Sequence, residues 1–302
     1  MKYILPRLVA AFLLACALGA QAAGTDKPSS PQQAELDAAY KAAQDTHLPG
    51  PADIAMRDQA HLKLPAGYLW IPQPAAGQLM QAMGNPVDDS FVGAIFPAGD
   101  GDWFVVVKFV KEGYIRDDDA KEWNADELLT SLREGTEAAN EERGKRGIAA
   151  IEVVGWAQKP QYDSATHRLA WSALTRSKGD TSGEQGVNYN TYALGREGYV
   201  SLNMVTAAHA LEKYKPEAMA LLGALQYDEG KRYADFNGST DKVAAYGLTA
   251  LVAGAAAKKL GLLAVIAAFL VKFAKVAILA GGAAAWGLTK LFRKKKPEAP
   301  KL

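Results

Sequence analysis

A single cysteine, Cys16, is all the thiol chemistry in this chain, and it lies within an N-terminal apolar stretch. Cleavage after the small-x-small pattern Ala20-Gln21-Ala22 removes it, and with it disulfides, thiolate metal sites and cysteine nucleophiles. Histidine is scarce too. His47, His61, His167 and His209 stand far apart and outside any HExxH-type pair, so zinc hydrolysis has no signature here. There is no GxSxG elbow, Walker lysine loop or GxGxxG phosphate turn, although a Ser-His-Asp arrangement need not be local in sequence. No uninterrupted apolar run reaches the ~20 residues of a membrane-crossing helix. Leu260–Val271 has twelve residues and Val276–Leu288 thirteen.

Acid is also missing from both ends. Residues 1–22 hold two bases and no acid, and residues 243–302 hold ten bases and one acid. Of the chain's 34 bases and 33 acids, 22 and 32 are left for residues 23–242, a net charge of about −10 hidden behind a total of +1. An acidic middle part argues against nucleic acid as partner, because phosphate binding needs clustered Lys and Arg.

The ends suggest a compartment. Lys2 and Arg7, the apolar stretch Leu8–Ala20 and the cleavage pattern read as a signal peptide over 1–22; Leu13-Leu14-Ala15-Cys16 reads alternatively as a lipobox. Residues 243–289 read as a helical membrane anchor and 290–302 as a cytoplasmic tail, with Arg293, Lys294, Lys295 and Lys296 as the basic flank. A helix over about 260–286 is long enough to cross but carries Lys272 and Lys275 near its middle, at about 2.5–3.5 kcal/mol each. The lysine stripe fits an amphipathic helical pair in the interface, or self-association through Ala253, Ala257, Ala280 and Ala284.

Between the ends, 23–60 reads as a linker with a short helix over 32–44, stopped by His47-Leu48-Pro49-Gly50-Pro51. Residues 61–242 read as an exported α+β domain. Strands are expected at 61–64, 68–71, 91–96, 103–110, 151–156, 168–176, 187–195 and 199–205, with the apolar Trp103–Val110 as a central one. One long helix is expected from Asp117 to about Arg146, and two further helices over 206–214 and 216–225, broken at Lys215-Pro216. The fold class is α+β with a mainly antiparallel sheet, one long helix and a C-terminal helical membrane segment.

Three residues stand out as candidate binding positions. Asp163, His167 and Arg168, close to Trp156 and Tyr162, are the nearest thing to a polar-aromatic cluster, but the favoured reading is a tight turn between two strands with Pro160 and Asp163-Ser164 as turn residues. Arg196, on a glycine-framed turn, suits anion recognition or a pairing with a local acid. Asp117–Asp119 offers oxygens to a hard cation but lacks EF-hand spacing; its other reading is a capping group. Trp171, Tyr189, Tyr192 and Tyr199 line one sheet face or belong to the core. No cofactor and no catalytic residue is indicated.

Gly113-Tyr114 with Asp117-Asp118-Asp119, Gly155-Trp156 with Pro160 and Tyr162-Asp163, Val187-Asn188-Tyr189-Asn190, Leu194-Gly195-Arg196, Tyr233-Ala234-Asp235-Phe236 and Asp241–Gly247 occur in this order. Together they resemble the DUF2167 family over about residue 40 to the tail. The resemblance implies an exported bacterial protein with a C-terminal membrane segment and transfers no activity, cofactor or catalytic residue. The expectation is a periplasm-facing binding or scaffold module on the inner membrane, with an envelope protein as partner. The alternatives are an envelope hydrolase using Asp163, His167 and Arg196, and an oligomeric membrane-active tail.

Overall fold

A computed structural model describes residues 31–253 apart from Pro86 and Arg146, and omits the side chains of Pro31, Gln32, Glu122 and Glu142. The expected signal peptide, Cys16, the lysines of the C-terminal segment, most of the expected anchor and the Arg293–Lys296 flank lie outside the described residues. Among the described residues no helix is long and apolar enough to cross a membrane.

The elements run α1 (Pro31–Thr46), β1 (Leu48–Pro49), β2 (Ala52–Met56), β3 (Ala60–Leu64), β4 (Tyr68–Pro72), α2 (Ala75–Ala82), β5 (Phe91–Pro97) and β6 (Trp103–Val110). Then come α3 (Ala125–Lys145), β7 (Ile151–Asp163), β8 (Arg168–Ser177), β9 (Gly186–Leu194), β10 (Tyr199–Ala207), α4 (Leu211–Ala224), β11 (Leu225–Tyr227) and α5 (Leu248–Ala253). Eight strands form one antiparallel sheet in the order β1-β4-β5-β6-β10-β9-β8-β7, and β11-β3-β2 form a second. Trp103–Val110 is central, as its composition predicts, with burial alternating along it.

The odd residues of β6 (Trp103, Val105, Val107, Phe109) face the small sheet and α4, packing with Met56, Leu62, Leu221 and Leu222. The opposite face of the large sheet is covered in two places. At the β4–β5 end, α1 and α2 lay Leu36, Ala43, Leu79 and Met80 on Leu69, Ile71 and Phe96. At the β7–β9 end, α3 and α5 bring Leu128, Leu248, Leu251 and Val252 against Leu169, Trp171 and Tyr192.

The sheet is antiparallel as expected, but helix is shared among α1 (16 residues), α3 (21) and α4 (14) and does not rest on one long helix. The helix expected from Asp117 begins only at Ala125, where the Asn124 carboxamide accepts the Asp126 and Glu127 amides. The aspartates before it are bonded elsewhere. Pro216 does not break α4: Leu211, Tyr214, Ala218, Leu221 and Leu222 form one buried stripe that holds the helix across the proline. β7 runs through Pro160, which an edge strand tolerates because one row of its amides is unpaired. β2, β11 and α2 have no counterpart among the expected elements. The folded region also extends beyond the 242/243 boundary: Val243 bridges Tyr114, and Leu248 and Val252 are fully buried.

Candidate functional site

His167 closes the β7–β8 hairpin in the left-handed backbone region, at φ 52°. Asp163 builds this turn, accepting the Ala165 amide at 2.9 Å and the Thr166 hydroxyl at 2.6 Å, and the Thr166 bond leads in holding its carboxyl below the ordinary range. The turn directs the His167 ring inward, where it stacks on Tyr233 with centroids 4.0 Å apart. Its Nδ1 lies 3.1 Å from the Tyr162 hydroxyl and 3.6 Å from Asp117 Oδ2. Tyr162 donates to Asp117 at 2.6 Å; burial first, and then this bond, push its hydroxyl well above the usual tyrosine range.

This geometry determines the tautomer. A tyrosine has one proton, and that of Tyr162 is given to Asp117. The contact at 3.1 Å therefore requires an N–H on His167 Nδ1, which leaves Nε2 as the acceptor of the neutral ring. Among the described residues nothing bonds that nitrogen, and the His167 side chain is 29% exposed.

Behind His167 the rings continue. Tyr233 meets Tyr114 at 4.3 Å, and Tyr114 stacks on Phe236 at 3.9 Å. The Tyr233 hydroxyl donates to the Ile115 carbonyl, and burial raises it strongly. Gly113 lets the chain pass: at φ 100° it has Lys242 O only 2.5 Å from where a Cβ would sit.

Arg196 is not open to an external anion. It grips Asp241 with both arms, Nε to Oδ2 at 2.7 Å and Nη2 to Oδ1 at 2.8 Å, and donates Nη1 to Gly230 O. Its acid is 45 residues away in sequence, not local to the turn. This pairing leads in raising Arg196 and in holding Asp241 well below the carboxylate range. Among the described residues, no hydrogen bond joins any two of Asp163, His167 and Arg196.

The acidic run divides its work. Asp117 serves Tyr162 and His167, while Asp119 accepts the Leu248 and Thr249 amides, both at 3.1 Å, and so caps α5 from across the fold. Among the described residues no three His, Asp or Glu side chains are placed to hold a metal ion. The four aromatics split between faces: Tyr189 packs toward α4, whereas Trp171, Tyr192 and Tyr199 lie under α3 and α5, all buried.

Sequence reasoning selected His167 but missed Tyr162 and Asp117 as its partners and Tyr233 as its platform. The available signal was the set of recurring segments. Gly113–Asp117, Tyr162-Asp163, Leu194–Arg196, Tyr233–Phe236 and Asp241–Gly247, scattered along the chain, are joined here by the contacts just described.

A search of curated proteins gives no match. Among solved structures, the solution structure of cyanobacterial PsbP (CyanoP) from Synechocystis sp. PCC 6803 is similar over 61% of this chain and 92% of that one, at 9% identity and a TM-score of 0.36. A likeness that distant carries no statement about this chain. A family model described as protein of unknown function, DUF2167, matches residues 48–282. Because that match spans most of the chain, the protein belongs to the DUF2167 family.

Proposed function

We propose that the protein is a membrane-tethered component of the bacterial envelope whose periplasmic α+β domain acts by binding, with the contacts made at His167, Asp117 and Tyr162. The observation that carries this reading is the state of His167. Its ring is fixed by stacking and by its Nδ1 contact, and its Nε2 is left unused on a side chain 29% exposed. Such a group offers a hydrogen-bond acceptor of fixed direction. The hydrolase reading has less support, because general acid-base work needs partners within hydrogen-bond reach, and Asp163 and Arg196 are engaged in the turn and with Asp241.

A photo-crosslinking amino acid placed at Thr166, beside the site, in the full chain in membranes should give a discrete adduct that disappears with His167→Gln. The same probe at Lys178, just past the far end of β8, should give none. Equal labelling from both positions, or none from Thr166, would sink the binding reading. Tethering is tested by ending the chain after Gly254, which keeps the buried Leu248, Leu251 and Val252 in place. The shortened protein should leave the membrane fraction for the soluble periplasm, and retention would count against the anchor.

A further inference from the structure

The chain from Asp228 to Ala253 crosses two loops of the large sheet before it reaches the C-terminal end of the described residues. From Ala234 to Gly247 none of its residues is buried, whereas Tyr233 before that stretch and Leu248, Leu251 and Val252 after it are. Between these buried ends Phe236 stacks on Tyr114, Ala244 and Tyr246 pack against the core in part, and the other attachments are polar. Arg196 holds Asp241, and Asp241 in turn accepts the Asn237 amide at 2.7 Å. Tyr114 and Val243 form an isolated parallel bridge, with Tyr114 N to Lys242 O at 2.8 Å and Ala244 N to Tyr114 O at 2.9 Å. Next to the latch, Lys231 and Lys111 both pair with Glu197.

We infer that residues 228–247 form a strap, latched by the Arg196–Asp241 pair, whose seating completes the His167 site. This rests on reading that site as functional. The strap supplies Tyr233, on which His167 stacks, and Phe236, which closes the row of rings on Tyr114. Tyr114 is shared: its ring belongs to the site and its backbone to the strap bridge. When the latch opens, the bridge and the ring row lose their register together. A stretch held by hydrogen bonds, one ring stack and side chains that are only partly buried opens at lower cost than the fully buried sheet beneath it. The strap also leads directly into α5.

The test uses the full chain and two readouts, amide hydrogen exchange and the His167 ring protons by NMR. Arg196→Gln and Asp241→Asn should each speed exchange at Tyr114 and Ala244 by at least about tenfold. The amides of β6 and β10 should keep their rates, and the His167 ring signals should move from their Tyr233-stacked positions toward those of free imidazole. Lys178→Met, which removes a surface pair that includes none of the latch, bridge or ring residues, should change neither readout. Unchanged exchange at Tyr114 and Ala244 would overturn the latch. Strap opening with an unmoved His167 ring would overturn the coupling to the site. Should Arg196→Gln also speed β6 and β10, the milder Asp241→Asn decides, and a uniform rise there too would overturn the inference. No ligand enters these measurements, so failed crosslinking with an intact strap response counts against the binding reading alone.

Discussion

The two ends of one sheet face are covered in different ways. At the β4–β5 end, α1 and α2 present mainly Ala, Leu and Met to a sheet face that carries Phe91, Phe96 and Phe104, and the contact is mainly apolar packing. At the β7–β9 end, α3 and α5 present Leu and Val and the strap presents Tyr233 and Tyr246, over Trp156, Trp171 and Tyr192 of the sheet, with polar bonds running through the layer. Arg133 donates to the Val153 carbonyl, Asn140 exchanges bonds with Ile151, Asp119 caps α5 and Trp123 donates to Thr249. Aliphatic packing is non-directional and adapts by small shifts. Hydrogen-bonded aromatic packing fixes directions, which a site needs. The same sheet thus has one end suited to stability and one end suited to holding groups in place.

The largest expected effect separates the ends by core truncation. Leu79 and Leu248 are both fully buried, and each change to Ala should cost about 2–5 kcal/mol. Leu79→Ala should lower the melting temperature of the whole domain, whereas Leu248→Ala should mainly speed exchange across α5 and the strap. Identical exchange maps for the two variants would erase the distinction. Next in size is Asp119→Ala, which removes the α5 cap and should cost about 1 kcal/mol, read as the same local loosening with a small change in melting.

A pH titration sharpens the comparison further. The raised Tyr162 and Tyr233 stay protonated in the fold at pH values where the unfolded chain has ionised them, so the folded state binds more protons and stability falls as pH rises above about 10. Tyr162→Phe should flatten part of that alkaline slope and leave the melt near pH 7 less affected than the slope. An unaltered slope would argue that Tyr162 does not control its proton as described. The smallest effect is expected for Lys178→Met: its partner Glu137 is half exposed, and no shift in melting temperature should be measurable.

Much of the sheet was legible because strands carry a short-range pattern. The alternation in Leu169–Leu174 and the apolar Trp103–Val110 each mark a strand from within a few residues. Ala75–Ala82 gave no such signal, since its eight residues carry only Leu79 and Met80 as large apolar side chains beside buried Ala and Gly. Pro216 misled because a local rule about proline was outweighed by five buried side chains of the same helix, whose packing partners are distant in sequence. The site was half legible for the same reason. His167 and Asp163 sit on a recognisable turn, but their surroundings depend on Asp117, Tyr233 and Asp241, whose proximity no local pattern encodes.

Strand order has a consequence for how the chain reaches this state. β4-β5-β6 and β7-β8-β9-β10 are two meanders, each closed between sequence neighbours, and they meet only along the β6–β10 pair from Trp103–Val110 to Tyr199–Thr206. That seam closes the longest loop in the sheet, so the expected order is meanders first and seam last. Val107→Ala, on the seam, should then mainly speed unfolding, and Leu169→Ala, within the second meander, should mainly slow folding. Until the seam closes, the apolar edge of β6 is unpaired, and this is the interval in which the chain is most exposed to pairing with another copy of itself.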